Sequence, residues 1–95
     1  MFIVLLEYLK PLEHIEAHLA EHREFLDRHF SSGLFLTSGP KVPRTGGVIL
    51  VKAESRPELE SILGQDPFHR ESLAQYQVIE FTPTKFAEGT QALLG

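Results

Sequence analysis

The hydrophobic and polar positions of this chain follow two periods, one typical of strands and the other typical of helices. Residues 2–8 are apolar on both alternating faces until Glu7, which predicts a central strand covered on both sides. Lys10-Pro11 ends this strand. Residues 34–38, 48–53 and 76–82 predict three further strands, and the run at 48–53 is again apolar on both faces.

Between the strands, apolar residues recur at helical spacing. Residues 12–31 predict one long helix that ends before Gly33. Its apolar stripe consists of Leu12, Ile15, Leu19, Leu26 and Phe30. Ser55 and Glu58 have the spacing of a capping box, which predicts the start of a second helix that ends at Gly64. The buried stripe of that helix consists of Leu59, Ile62 and Leu63.

Two connecting segments are rich in turn residues. Residues 41–47 follow Gly39-Pro40 and predict a polar hairpin loop. Asp66 precedes Pro67 after the second helix, which is typical of an N-cap followed by the first position of a short helical turn over residues 68–73. The tail is weakly patterned, and we expect either a short strand or a helical arm there.

The resulting order, βαββαβ, predicts an α+β domain of the ferredoxin-like, split βαβ type. We expect a single domain over residues 1–95, with its core at 2–83 and a tail at 84–95. Two helices cover only one face of such a sheet, yet several strands are apolar on both faces. Because soluble monomers avoid a bare apolar face of this size, we expect a homodimer that packs sheet to sheet.

Composition narrows the possible functions. The formal net charge is -4, and the absence of a long run of Lys and Arg argues against nucleic-acid binding. The chain has no cysteine, which excludes a disulfide framework, a thiolate nucleophile and a cysteine metal site. The apolar start is too short to cross a membrane and lacks the features of a signal peptide, so we expect a cytoplasmic protein.

His22 and Asp66 are the main candidates for chemistry. Of the four histidines on the first predicted helix, only His22 falls within the apolar stripe on a helical wheel. A histidine there is most often a core residue with one hydrogen bond, and Asp66 is equally well explained as an N-cap. If the fold brings the two together, however, they form a general acid/base pair. We therefore predict that both side chains line one pocket, with Phe68 and the Ser38-Gly39-Pro40 turn in its wall.

Other constellations carry weaker signals. His18 and His22 have the i, i+4 spacing of two metal ligands, but no glutamate follows His18 as in a zincin, and we expect no metal and no cofactor. Ser38 lacks the flanking glycines of a nucleophile elbow and is typical of a turn residue. The basic side chains of Lys41, Arg44 and Arg70 are expected to be solvated, although each is able to meet an anionic substrate.

Five short motifs in this order and spacing resemble the YCII-related (YciI-like) family. They are His22-Arg23-Glu24-Phe25-Leu26, Gly33, Ser38-Gly39-Pro40, Gly46-Gly47 and Asp66-Pro67-Phe68. The resemblance covers residues 2–83. It implies a ferredoxin-like fold, dimers related to the dimeric α/β barrels, and a His–Asp pair at a pocket between helix and sheet, which corresponds to His22 and Asp66.

The resemblance implies less about the reaction. Most members of the family have no assigned activity, one branch is linked to dehydrochlorination of a chlorinated hydroxyquinone, and relatives by fold include muconolactone isomerases and small monooxygenases. Leu19 stands where many members carry an arginine, and Ser72 stands where a glycine is frequent. The first difference removes an anion-binding group, so the substrate type is not carried over to this chain.

Two functional hypotheses follow. The first is an enzyme in which His22 is a general base and Asp66 orients it, in an elimination, isomerisation or lyase reaction on a small molecule. The second is a non-catalytic dimeric domain that binds a small ligand or serves as an accessory, with a structural His–Asp hydrogen bond. The depth of the pocket distinguishes them, because a catalytic pair must be reached from solvent.

Overall fold

The computed structural model of this protein describes residues 1–94, and within them four strands form one antiparallel sheet. The strands are β1 (Phe2–Tyr8), β2 (Phe35–Pro40), β3 (Gly46–Val51) and β4 (Ala74–Glu80). They lie in the order β2-β3-β1-β4, with β1 antiparallel to both β3 and β4. Helical segments connect β1 to β2 and β3 to β4, which is the split βαβ arrangement. The predicted ferredoxin-like α+β fold is therefore confirmed.

Five helices accompany the sheet in the described residues. They are α1 (Leu12–Ala17), α2 (Leu19–Ser31), α3 (Arg56–Leu63), α4 (Pro67–Arg70) and α5 (Gln91–Leu94). The turn predicted after Asp66 is the short helix α4, and the tail contains α5 rather than a strand. Not one of these helices has both the length and the apolar character that a membrane crossing requires.

The prediction of one continuous helix over residues 12–31 is wrong at His18, where α1 ends and α2 begins. His18 has φ of -109° and ψ of 7°, outside the α-helical range. Its backbone N–H donates to the carbonyl of Ile15 rather than to that of His14. The His14 carbonyl instead accepts a hydrogen bond from His18 Nδ1, at 3.1 Å. The histidine side chain thus takes the carbonyl that a continuous helix would use.

The boundaries of three strands also differ from the predicted ones. β2 continues to Pro40 and β3 begins at Gly46, so only residues 41–45 form the hairpin loop. Gly46 was predicted to be a turn residue, but it lies in the sheet because β1 passes very close: a Cβ atom there would overlap the carbonyl oxygen of Leu6. β4 lies two residues earlier than predicted, since Ala74 already pairs with Tyr8.

The core lies between the helices and one face of the sheet. Phe2, Val4 and Leu6 of β1 are buried, as are the apolar side chains that face them, which are Ile49, Val51, Ile15, Phe25, Leu59, Ile62 and Leu63. Leu12 was expected in the stripe, but it is 43% exposed. The break at His18 resets the helical phase, and α2 buries His22 and Phe25 instead.

The alternate positions of the same strands are less well covered. Ile3 and Leu5 of β1 and Val48 and Leu50 of β3 are only partly buried. Ile79 of β4 pairs with Ile3 and is 40% exposed. One face of the sheet is thus packed by helices, while the other presents a mainly apolar surface.

Candidate active site

A cavity of about 740 Å³ lies between the helices and the packed face of the sheet. Its walls come from β1, α1, α2, the β2–β3 hairpin and α4. The apolar side chains of the lining include Leu6, Leu19, Leu26, Ile49 and Phe68. The polar part consists of Tyr8, Glu16, His22, Arg23, Ser38 and Arg44. A volume of this size accommodates a small organic molecule.

His22 lies on α2 with its imidazole ring stacked on the ring of Phe68. The two ring centroids are 4.0 Å apart and the planes differ by only 4°. Phe68 is held by α4, where it is buried and packs edge-on against Tyr8. The stack fixes the plane of the imidazole, and His22 as a whole is only 9% exposed.

The two ring nitrogens of His22 have different surroundings. Nδ1 donates a hydrogen bond to Oδ1 of Asp66 at 2.8 Å, because a carboxylate oxygen only accepts. Within residues 1–94 every buried side-chain nitrogen and oxygen has a hydrogen-bond partner. Nε2 of His22 has no such partner, so it is not one of the buried atoms, and His22 is one of the residues that line the cavity. In the neutral ring with Nδ1 protonated, Nε2 carries the free lone pair.

Asp66 receives three hydrogen bonds. Oδ1 accepts from the backbone N–H of Phe68 at 3.0 Å as well as from His22, so Asp66 is also the N-cap of α4. Oδ2 accepts from the hydroxyl of Tyr76 at 2.5 Å. The capping interpretation and the pairing interpretation of Asp66, which the sequence left as alternatives, hold at the same time.

Tyr76 of β4 completes this cluster. Burial raises the pKa of its hydroxyl well above the ordinary value, and the nearby charge of Asp66 and the hydrogen bond to it raise the pKa further. The phenol therefore stays protonated over the physiological range and remains a donor to Asp66. It fixes the second carboxylate oxygen, while His22 and the α4 backbone fix the first.

The structure brings together most of the residues that the sequence singled out. His22, Phe68, Ser38, Gly39 and Pro40 all line the cavity. Asp66 is the exception: we predicted that it lines the pocket, but its exposed fraction is 0% and the imidazole lies between it and the cavity wall. Both of its oxygens are occupied by donors, so the carboxylate acts on the cavity only through His22.

Several residues of the site were not anticipated. Tyr76, Tyr8 and Glu16 were not named as candidates, and Arg23 was named only as part of a family motif. Arg44 is exposed, as expected, and it also lines the cavity. Strand alternation held a usable signal for Tyr8, which shares the face of Leu6, whereas Tyr76 reaches the site through its pairing with Leu6 in the sheet. Arg44 and Glu16 form an ion pair of 3.2 Å at the cavity.

The weaker candidates have other partners. His18 bonds the His14 carbonyl, and His29 Nε2 is 3.1 Å from Oε1 of Gln65. No three His, Asp or Glu side chains converge on a common point in the described part of the chain. The i, i+4 spacing of His18 and His22 thus finds no third ligand among residues 1–94, and the expected lack of a tightly bound metal stays a prediction.

Fold and site together define a ferredoxin-like α+β domain with a buried His–Asp pair, joined by a partly buried tyrosine, beside a cavity. The family model for the YCII-related domain matches residues 1–82, and the chain belongs to this family. A search of curated proteins found no match.

One solved structure with a similar fold is 5-chloro-2-hydroxyhydroquinone dehydrochlorinase (TftG) from Burkholderia phenoliruptrix AC1100, in complex with 2,5-dihydroxybenzoquinone. It is 22% identical, the TM-score is 0.71, and the match covers 85% of this chain and 93% of that chain. At this level of identity the likeness establishes a shared fold.

Proposed function

We propose that this protein is an enzyme that moves a proton on a small molecule bound in the cavity, with His22 as the general base. The observation that carries the proposal is the asymmetry of the imidazole. Nδ1 is fixed by Asp66 at 2.8 Å, while Nε2 is open to the cavity. A base needs a free lone pair directed at its substrate and a partner that stabilises the cation it becomes.

The reaction begins when Nε2 of His22 takes a proton from the substrate. The electron pair left behind either forms a double bond and expels a leaving group from the adjacent atom, or moves to another atom that His22 then reprotonates. The first course is an elimination or lyase reaction and the second an isomerisation. Neither reaction needs a redox partner. In the elimination the substrate loses a proton and a leaving group, and in the isomerisation a proton only changes its position.

Asp66 and Tyr76 assist without touching the substrate. The carboxylate keeps His22 in the tautomer with Nδ1 protonated and lies next to the positive charge that forms when Nε2 accepts a proton. Tyr76 holds the carboxylate in place with its hydrogen bond of 2.5 Å. Both are positioning residues for His22.

The cavity wall opposite α2 would bind the substrate. Ser38, Gly39 and Pro40 of β2 line the cavity together with Phe68, whose ring supports the plane of the imidazole. The name of TftG describes a dehydrochlorination, which is an elimination, and this supports the same class of reaction here.

We also propose that the protein is a homodimer through the second face of the sheet. The partly buried residues on that face are Ile3, Leu5, Val48 and Leu50, and the more exposed Ile79 adjoins them. A second copy would cover these side chains with the same apolar surface.

A turnover assay tests the catalytic role. We expect the wild type to release chloride from 5-chloro-2-hydroxyhydroquinone or, failing that, to exchange the acidic C–H protons of small hydroxyquinones with deuterated water. His22→Gln should lower the rate by about 100-fold or more, because general base catalysis contributes factors of this order. His14→Gln is the matched control, since His14 is exposed on α1 and lies outside the cavity lining.

The outcome separates the enzyme from a binding domain. Binding of these compounds without turnover or exchange, in a wild type that is as folded as the variants, would favour a non-catalytic ligand-binding or accessory domain. Equal rates for wild type and His22→Gln would show that His22 is not the base.

A further inference from the structure

The charged residues of the cavity indicate which ligands it accepts. Three charged side chains line it, namely Arg23, Arg44 and Glu16. The carboxylate of Asp66 is sealed behind the imidazole and does not reach the cavity. Although the whole chain has a net charge of -4, the cavity lining carries more positive than negative charge when His22 is neutral.

The two cavity arginines differ from a third arginine outside it. Arg70 of α4 contacts two carboxylates, Glu21 at 2.6 Å and Glu71 at 3.4 Å. Arg44 has a single carboxylate partner, Glu16, at 3.2 Å. Arg23 makes no ion pair with any residue between 1 and 94. Arg23 and Arg44 therefore both have hydrogen-bond donors available at the cavity.

The Glu16–Arg44 ion pair shows that Arg44 binds a carboxylate group. It joins α1 to the β2–β3 loop, and both side chains are well exposed to solvent. An exposed pair with one contact of this kind is weak and exchanges readily with other carboxylates. A ligand carboxylate that also reaches Arg23 gains two cationic partners where Glu16 has one.

We infer that the cavity binds a small planar carboxylate, whose anionic end is held by Arg44 and Arg23 in competition with Glu16. The body of the ligand lies on the apolar wall that includes Leu19, Leu26 and Phe68. This inference rests on the proposed function in one respect, which is that both concern the same cavity. It specifies the substrate class, which the reaction type alone leaves open.

Binding of two matched probes tests the inference. Benzoate and benzamide have the same ring and nearly the same shape, but only benzoate is an anion. We expect the wild type at low salt to bind benzoate at least about fivefold more tightly than benzamide, as measured by the shifts of backbone amide NMR signals. The preference should shrink as salt is added.

Three variants assign the preference to its residues. The double variant Arg23→Gln/Arg44→Gln should bring the ratio of the two affinities to about one. Arg70→Gln also removes the positive charge of an arginine, but of one that lies outside the cavity, and it should leave the ratio of the two affinities unchanged. Glu16→Gln should raise the affinity for benzoate about two- to fivefold and leave that for benzamide as it was, because Arg44 is released. Both affinities are measured without turnover, so a failure of the proposed catalysis does not affect this test.

Two results with the wild type would overturn the inference, namely equal affinity for the two probes and no detectable benzoate binding. Three results with variants would do the same: a preference retained by Arg23→Gln/Arg44→Gln, a preference lost in Arg70→Gln, and weaker benzoate binding by Glu16→Gln. The NMR spectra also report whether each variant is folded, and all four charged side chains are exposed at the surface.

Discussion

Asp66 has three hydrogen-bond donors on its two carboxylate oxygens, from three different parts of the chain. His22 comes from α2, the Phe68 backbone from α4 and Tyr76 from β4. A buried carboxylate is costly unless such partners satisfy it. The cluster therefore makes the geometry at His22 depend on the correct packing of all three elements.

At the scale of residues, part of this cluster could be predicted. His22 is noticeable because a polar side chain falls in an apolar helical stripe, and Asp66 because it precedes a proline after a helix. Tyr76 could not be assigned in the same way, since its role depends on the register between β1 and β4. Register is set by the packing of the whole sheet and is not contained in any local pattern.

Tyr76→Phe should change the dependence of stability on alkaline pH. The pKa of Tyr76 is raised in the folded protein, whereas the unfolded chain ionises near the ordinary value of 10.0. Below that pH both states keep the proton. Above it only the unfolded state loses the proton, so the wild type should lose about 1.4 kcal/mol of unfolding free energy per pH unit through this group.

Urea unfolding at pH 8 and at several values above 10 measures this effect. Tyr76→Phe should be less stable at pH 8 by about 1–3 kcal/mol, because Asp66 loses a donor, and its stability should fall less steeply above pH 10. Parallel curves for the two proteins would show that Tyr76 does not keep its proton on folding.

At the scale of elements, the periodic patterns predicted the two connecting helical regions and all four strands, but not all of their boundaries. The break at His18 arises from one side chain that competes for the His14 carbonyl, and hydrophobic spacing carries no information about that competition. Gly46 was misplaced for a related reason. Glycine marks turns and close approaches of two strands equally well, and only the position of Leu6 distinguishes them.

Ser55 offers a test of the helix start that was predicted correctly. Its hydroxyl accepts a hydrogen bond from the backbone N–H of Glu58 at 3.3 Å, at the N-cap of α3. Ser55→Ala should lower the free energy of unfolding by about 1 kcal/mol. Ser61→Ala, at an exposed position inside the same helix, is the control and should be neutral or slightly stabilising, since alanine has the higher helix propensity.

Chemical denaturation of the three proteins gives both differences under one set of conditions. A loss in Ser55→Ala no greater than that in Ser61→Ala would mean that the cap contributes nothing to the stability of the domain.

At the scale of the whole molecule, the sheet has one face packed by helices and one that is only partly covered. The less covered face of the two central strands is mainly apolar. Its partly buried residues are Ile3, Leu5, Val48 and Leu50. This matches the sequence pattern from which the homodimer was predicted.

Sedimentation measures the predicted assembly. At micromolar concentration the wild type should have twice the 10.7 kDa mass of one chain. Ile79→Lys should shift the population toward the single chain, because burying a lysine in an apolar interface is unfavourable. Ile79 is 40% exposed, so the substitution itself should leave the fold intact.

Leu12→Lys is the matched control, since Leu12 is 43% exposed but lies on α1, away from the sheet. It should sediment like the wild type. A wild type that sediments only as a 10.7 kDa species would disprove the dimer, and dissociation by Leu12→Lys but not by Ile79→Lys would place the interface elsewhere.

The strand order has a consequence for the nascent chain on the ribosome. β1 is made first and lies in the centre of the sheet, but its partner on one side is β4, the last strand to be made. Until residue 80 has left the ribosome, one edge of the apolar segment 2–6 has no strand to pair with, and such an edge invites aggregation. Premature termination before β4 would therefore release an aggregation-prone fragment that also lacks Tyr76. We expect chaperones or proteases of the cell to bind that fragment.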